Sequence, residues 1–160
     1  MWTRRTLFAV ATLAALAGCA TPSRPVPVAD AIAAQTELTT LNRLIVKAGL
    51  SDTLRGAGPF TVFAPSNQAF ARIPAQTLDA LAKDPAKLKA VLSYHVLPGN
   101  LKAADIKNGN SKTVNGASVA LSRAGDFVTV EDALVQTPDI AASNGVIHIV
   151  DSVLMPPAGK

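Results

Sequence analysis

The sequence predicts an α+β domain, and three observations carry that reading. Apolar residues recur at helical spacing through the first half, from Leu41 to His95. The second half changes to short β-like runs separated by turn residues, ending in the wholly apolar-flanked Val146-Ile147-His148-Ile149-Val150. One extended run, Phe60-Thr61-Val62-Phe63, interrupts the helices, so a strand from the first half returns to the sheet built by the second. Helices grouped before strands, rather than alternating with them, are the α+β pattern.

In chain order, Met1–Arg5 is a short basic segment and Leu7–Ala17 an apolar run. That run falls short of the roughly 20 residues that span a bilayer and has the layout of an export signal. Leu16-Ala17-Gly18-Cys19 follows at its end, and Cys19 is the single Cys of the chain, so no internal disulfide is available. Pro22, Pro25 and Pro27 make the next stretch an extended tether. The resulting organisation is a signal peptide over 1–18, a tether over 19–29, one domain over 30–156 and a short tail over 157–160.

Within the domain, Leu41, Leu44, Ile45 and Ala48 follow the i, i+3, i+4, i+7 spacing of one helix face. Thr39 or Thr40 is expected to cap its start, and Gly49 to take the left-handed position past its end. Leu50 and Leu54 extend the apolar face through a second turn closed by Gly56. After the 60–64 strand, Ser66 is the expected N-cap of a helix whose Ala69, Phe70 and Ile73 point inward. A short helix over Thr77–Lys83 follows, and Asp84-Pro85 then pairs a cap residue with Pro at the first helical position. Leu88, Val91, Leu92 and His95 share the inner face of that helix. Asn115-Gly116 predicts a hairpin turn, both residues tolerating positive φ. Arg123–Asp126 is a second turn before Phe127–Val130, and Leu134–Thr137 and Val146–Val150 are further strands. The last is apolar on both faces and is therefore expected at the centre of the sheet, covered on both sides.

Charge narrows the function classes. The pI near 9.5 suggests a basic protein, but two of the 15 Lys and Arg are Arg4 and Arg5 in the leader. From Cys19 onward 13 basic residues face 11 acidic ones, with no basic run and one Tyr. Neither an electrostatic footprint nor a stacking platform for nucleic acid is present. The catalytic inventory is thin: two His in apolar settings, no Gly-x-Ser-x-Gly elbow, no phosphate-cradling loop, and a Glu131-Asp132 pair that reads as a solvated turn. The reading is of a non-enzyme that needs no cofactor or metal.

Several resemblances place the chain. Leu16-Ala17-Gly18-Cys19 resembles the lipobox of bacterial lipoproteins, which implies diacylglycerol on the Cys19 sulfur and a lipid anchor to the membrane. Ala20 after it resembles lipoproteins released to the outer membrane, and Thr3-Arg4-Arg5-Thr6-Leu7-Phe8 is similar to a twin-arginine export signal with the Leu and aromatic residue exchanged. Further on, Thr61-Val62-Phe63-Ala64-Pro65-Ser66-Asn67-Gln68-Ala69-Phe70, Tyr94-His95, and Asn144-Gly145-Val146-Ile147-His148-Ile149-Val150-Asp151 through Leu154-Met155-Pro156 resemble, in order and spacing, the signatures of the fasciclin-like domain family. Gln68 stands where an acidic residue is common, and Val150 where Ile is usual.

The resemblance implies a fasciclin-like fold, with helices packed on a mixed or antiparallel sheet in a β-rich wedge. It also implies a role in cell-surface adhesion or protein–protein interaction outside the cytoplasm. In animal members integrin contact is assigned to a Tyr-His segment and a Pro-Asp-Ile segment, whose matching positions here are Tyr94, His95, Pro138, Asp139 and Ile140. The partner class does not transfer with the motif, so the protein or cell-surface partner is open. The alternative is a periplasmic carrier or sensor for a small apolar ligand or glycan. An exposed apolar groove beside Tyr94 would favour the ligand, and a polar face around Asp139 the protein partner.

Overall fold

The computed structural model describes residues 25–156. The leader, the Arg pair, Cys19 and the tail over 157–160 lie outside the described residues. Helix α1 (Val28–Ala34) opens the domain with Val28, Ala29, Ala31 and Ile32 buried, so packing begins inside the segment read as tether. A 3₁₀ turn leads to α2 (Thr39–Lys47), then α3 (Ser51–Arg55), strand β1 (Phe60–Pro65) and α4 (Asn67–Ala71). Next come α5 (Ala75–Lys83), α6 (Pro85–Tyr94) and β2 (Val96–Pro98). The remaining strands are β3 (Gly109–Lys112), β4 (Ser118–Ala124), β5 (Phe127–Val130), β6 (Ala133–Ala142) and β7 (Gly145–Val150). The fold is α+β, as the two halves of the sequence predict.

The seven strands form one sheet in the order β2-β1-β7-β6-β5-β4-β3. Only β1 and β7 run parallel, from Phe60 opposite Gly145 to Pro65 opposite Val150. Their alternation splits the interior in two. Val62, Ala64, Ile147 and Ile149 face a core of Ile32, Leu38, Leu41, Leu44, Leu88 and Leu92 under the helices. Phe63 and Val150 face the other way, into a core of Tyr94, Leu97, Val119, Leu121, Val128 and Val130, over which the sheet coils into a near-barrel. This is why the Val146–Val150 run is apolar on both faces and entirely buried.

Local chemistry sets most element ends. The Ser66 side chain accepts from Ala69 N, and Asp84 Oδ1 accepts from Ala86 N and Lys87 N, both at 3.1 Å. Those backbone donors hold the Asp84 carboxyl below its usual range. The start of α2 departs from expectation, because neither Thr39 nor Thr40 caps it. Asn67, distant in sequence, does so: its Oδ1 accepts from Thr40 N (3.0 Å) while its Nδ2 donates to Thr36 O (3.0 Å).

The β3–β4 hairpin also differs from the prediction. Strand β3 lies over 109–112, with Lys112 opposite Ser118, and a longer loop over 113–117 connects them. Gly116 alone takes positive φ (89°) there, so the turn is not the two-residue form that Asn-Gly favours. Strand β6 runs five residues past the expected Thr137, to Ala142. It crosses Pro138, which lacks an N–H, by shifting register between Val135 and Thr137 and again between Thr137 and Ile140.

Candidate functional site

The exposed middle of β6 is the first place to look for a contact surface. Strand β5 pairs with β6 only at Leu134 and Ala133, so Gln136, Thr137, Pro138 and Asp139 continue beyond it and are exposed. Asp139 sits in the left-handed region (φ 59°), a conformation Asp tolerates better than most residues. Its N–H donates to His148 Nδ1 (3.1 Å) and its Oδ1 accepts from Ala103 N (2.8 Å). Because His148 Nδ1 accepts, the ring proton is on Nε2, which donates to Leu101 O (2.8 Å). Thr61 completes the clasp, with Oγ1 donating to Gly99 O (2.8 Å) and accepting from Leu101 N (2.9 Å). The bulge is therefore pinned to the 99–105 segment, with the second carboxylate oxygen of Asp139 left over.

The other motif residues are interior. Tyr94 and His95 are each 2% exposed, and Ile140 is half-buried against the helix-side core. The Tyr94 hydroxyl lies 3.1 Å from Ser118 O and 3.3 Å from Glu131 Oε1, one proton between two acceptors. Burial, with the Glu131 charge second, raises its pKa. Glu131 is thus not a simple solvated turn. At φ 53° it aims Oε1 at Tyr94 and also accepts from Ala120 N (2.8 Å). His95 accepts at Nε2 from Leu154 N (3.0 Å) and donates from Nδ1 to Val91 O (2.8 Å). Burial lowers its pKa to about 4. His148, stacked on Phe63 at 5.4 Å, is also lowered by burial. Both rings are neutral near pH 7, with each nitrogen engaged. The Tyr-His pair is core, and of the five motif positions only Pro138 and Asp139 are exposed.

Two Asn residues that the sequence reading treated as turn and motif letters organise the surface. Asn67 joins α2 to the start of α4, as above. Asn144 is a hub at the β6–β7 turn: Oδ1 accepts from Val28 N (2.7 Å), and Nδ2 donates to Leu54 O and Gly56 O (both 2.8 Å). Its own carbonyl accepts from Phe60 N (3.0 Å). The available signal was a primary amide at the head of a largely apolar run. Asn144→Ala is expected to cost about 1–2 kcal/mol, since water reaches part of this cluster and replaces some of the lost bonds. Urea denaturation at pH 7 measures it.

The concave spaces differ in character. A groove of about 230 Å³ at the Pro65 end of the sheet is lined by Thr36, Glu37, Ser66, Asn67, Gln68 and Gln136, next to the exposed run of β6. The apolar space between α2, α5 and α6 holds only about 10 Å³, roughly room for one water, and offers no seat for a ligand. Among the described residues no three His, Cys, Asp or Glu side chains converge in a metal-ligand cluster, and no helix is long and apolar enough to cross a membrane.

The family model for the fasciclin domain matches residues 36–156. Immunogenic protein MPB70 of Mycobacterium bovis is 39% identical over 137 residues, covering 82% of this chain and 70% of that protein. Cell surface glycolipoprotein MPB83 of the same species is 37% identical over 137 residues, covering 82% of this chain and 61% of that protein. The solved FAS1 domain pair of the insect cell adhesion molecule Fasciclin I superposes with a TM-score of 0.68 at 16% identity. It covers 81% of this chain and 51% of that one, about half of a chain that contains two such domains.

Proposed function

We propose, because this chain belongs to the fasciclin domain family, that it is a non-catalytic adhesion or protein-interaction module held in the cell envelope by lipid on Cys19. The observation that carries the reading is the pairing of a lipobox-like Leu16-Ala17-Gly18-Cys19 with a domain whose relatives include a cell-surface glycolipoprotein and a cell adhesion molecule. Acyl chains contribute about 0.8 kcal/mol per buried CH₂, and more than one chain makes a stable anchor. The contact surface in this reading is the exposed run Gln136–Asp139 with the adjoining groove, both lined by side chains that hydrogen-bond. The neutral, fully bonded state of both histidines supports a structural rather than catalytic role for them.

The polar face around Asp139 favours a protein partner over an apolar ligand. Tyr94 is buried, the cleft of about 210 Å³ next to it carries Glu131 and Asp132, and the apolar space beneath the helices is closed. Two measurements test the proposal. The wild-type chain is expected in the membrane fraction with an acylated Cys19, and Cys19→Ser in the soluble fraction; an unacylated sulfur by mass spectrometry overturns the anchor. The soluble domain from Ala20 onward is expected to bind native envelopes saturably, with several-fold weaker binding for Thr137→Arg. Binding untouched by that change overturns the assignment of the surface.

A further inference from the structure

The two ends of the sheet are not equivalent, and the chain enters the domain at one of them. Val26 O accepts from Ser143 N (2.8 Å), and Val28 N donates to Asn144 Oδ1, both at the turn where β6 passes into β7. Strand β1 starts beside the same turn, and Asn144 fastens the end of α3 there. Whatever precedes Val26 therefore departs from the Phe60/Gly145 end. The polar groove with Gln68 and Gln136 lies at the opposite, Pro65/Val150 end.

Seven residue steps connect Cys19 to Val26, and at full extension they reach at most about 25 Å. A domain of this length has a radius of gyration of about 14 Å and hence a diameter of about 35 Å. With Cys19 at the headgroup level, turning the groove end onto the bilayer would require the tether to travel around the whole domain. It is too short to do so. The tether exits beside an open surface. It is a shallow concavity of about 420 Å³ whose lining, including Ala57, Gly58, Pro59, Asn100, Ser143 and Asn144, contains no charged side chain. Beside it stand the exposed Arg55–Asp30 ion pair and Asp52, so the reach of the tether, not an absence of charge, sets the orientation. Charged side chains are exposed at both ends, with Glu37, Arg72 and Asp132 at the far one.

We propose that the Phe60/Gly145 end is the face this domain turns to the lipid surface, and that the groove end is thereby presented outward. The inference rests on the acylated Cys19 reading. Its test uses full-length, lipidated protein reconstituted into phosphatidylcholine vesicles carrying spin-labelled headgroups as quencher. Because Cys19 is the sole native Cys, Ala57→Cys and Gln68→Cys each supply one free thiol for a fluorophore, and both positions are exposed. Cosedimentation with vesicles reports anchoring separately, so a failure of the lipid reading is seen there. For anchored protein, quenching at position 57 is expected to be several-fold stronger than at position 68. Equal quenching, or the reverse order, overturns the orientation. A long Gly/Ser insertion after Ala20 is expected to narrow the difference; a difference that persists undiminished overturns tether reach as its cause.

Discussion

Gly145→Ala is expected to destabilise the domain by roughly 3–5 kcal/mol, lowering its melting temperature by about 10–20 °C or preventing folding. A Cβ at this position would overlap the carbonyl oxygen of Phe60, a backbone atom that no rotamer change can move aside. Relief requires β1 and β7 to separate at the first pair of the one parallel ladder. Those two strands supply Val62, Ala64, Ile147 and Ile149 to one core and Phe63 and Val150 to the other, so the strain is felt on both sides of the sheet. Gly116→Ala is the control. That glycine has φ 89° with open space around it, and only the left-handed conformation opposes a side chain, at about 1 kcal/mol. Calorimetry on the two variants distinguishes close approach from turn conformation, and equal losses would contradict the packing argument.

Whether an element depends on near or distant residues decides how much of it is legible from residues alone. Elements governed by neighbours in sequence were readable: the caps at Ser66 and Asp84, the inner face Leu88-Val91-Leu92-His95, and the doubly buried Val146–Val150. The failures share one physical cause, a partner far along the chain. The cap of α2 comes from Asn67, the turn over 113–117 is shaped by bonds to Val96 and Ser93, and β6 crosses Pro138 because His148 and Ala103 hold the bulge. No local pattern encodes these. The candidate site divides the same way. Pro138 and Asp139 are exposed as a turn-like Pro-Asp would suggest, whereas Tyr94 is buried because Ser118 and Glu131, from the other half of the sequence, receive its hydroxyl. Family resemblance names the motif residues, but it does not say which of them serve the core.

Acidification tests the burial of the histidines most directly. His95 has a folded pKa of about 4 because its cationic form would lose hydration inside the core, while in the unfolded chain it titrates near 6.5. Below 6.5 the unfolded state therefore binds the proton first, and unfolding becomes more favourable as pH falls. The contribution is fully present above about pH 6.5 and is lost progressively toward pH 4. Between pH 7 and pH 4.5 the loss from His95 alone is about 2–3 kcal/mol. His148 acts in the same direction, since its pKa is also lowered by burial and protonation at Nδ1 would expel the Asp139 N–H that it accepts. Urea denaturation across this range should show the free energy of unfolding falling with pH. His95→Leu should be less stable at pH 7, because Leu154 N and Val91 O lose their partner, yet its pH dependence should be shallower. A wild-type curve that is flat from pH 7 to 4.5 would mean that the ring is hydrated or charged in the folded state, and the buried, neutral Tyr94-His95 core would have to be abandoned.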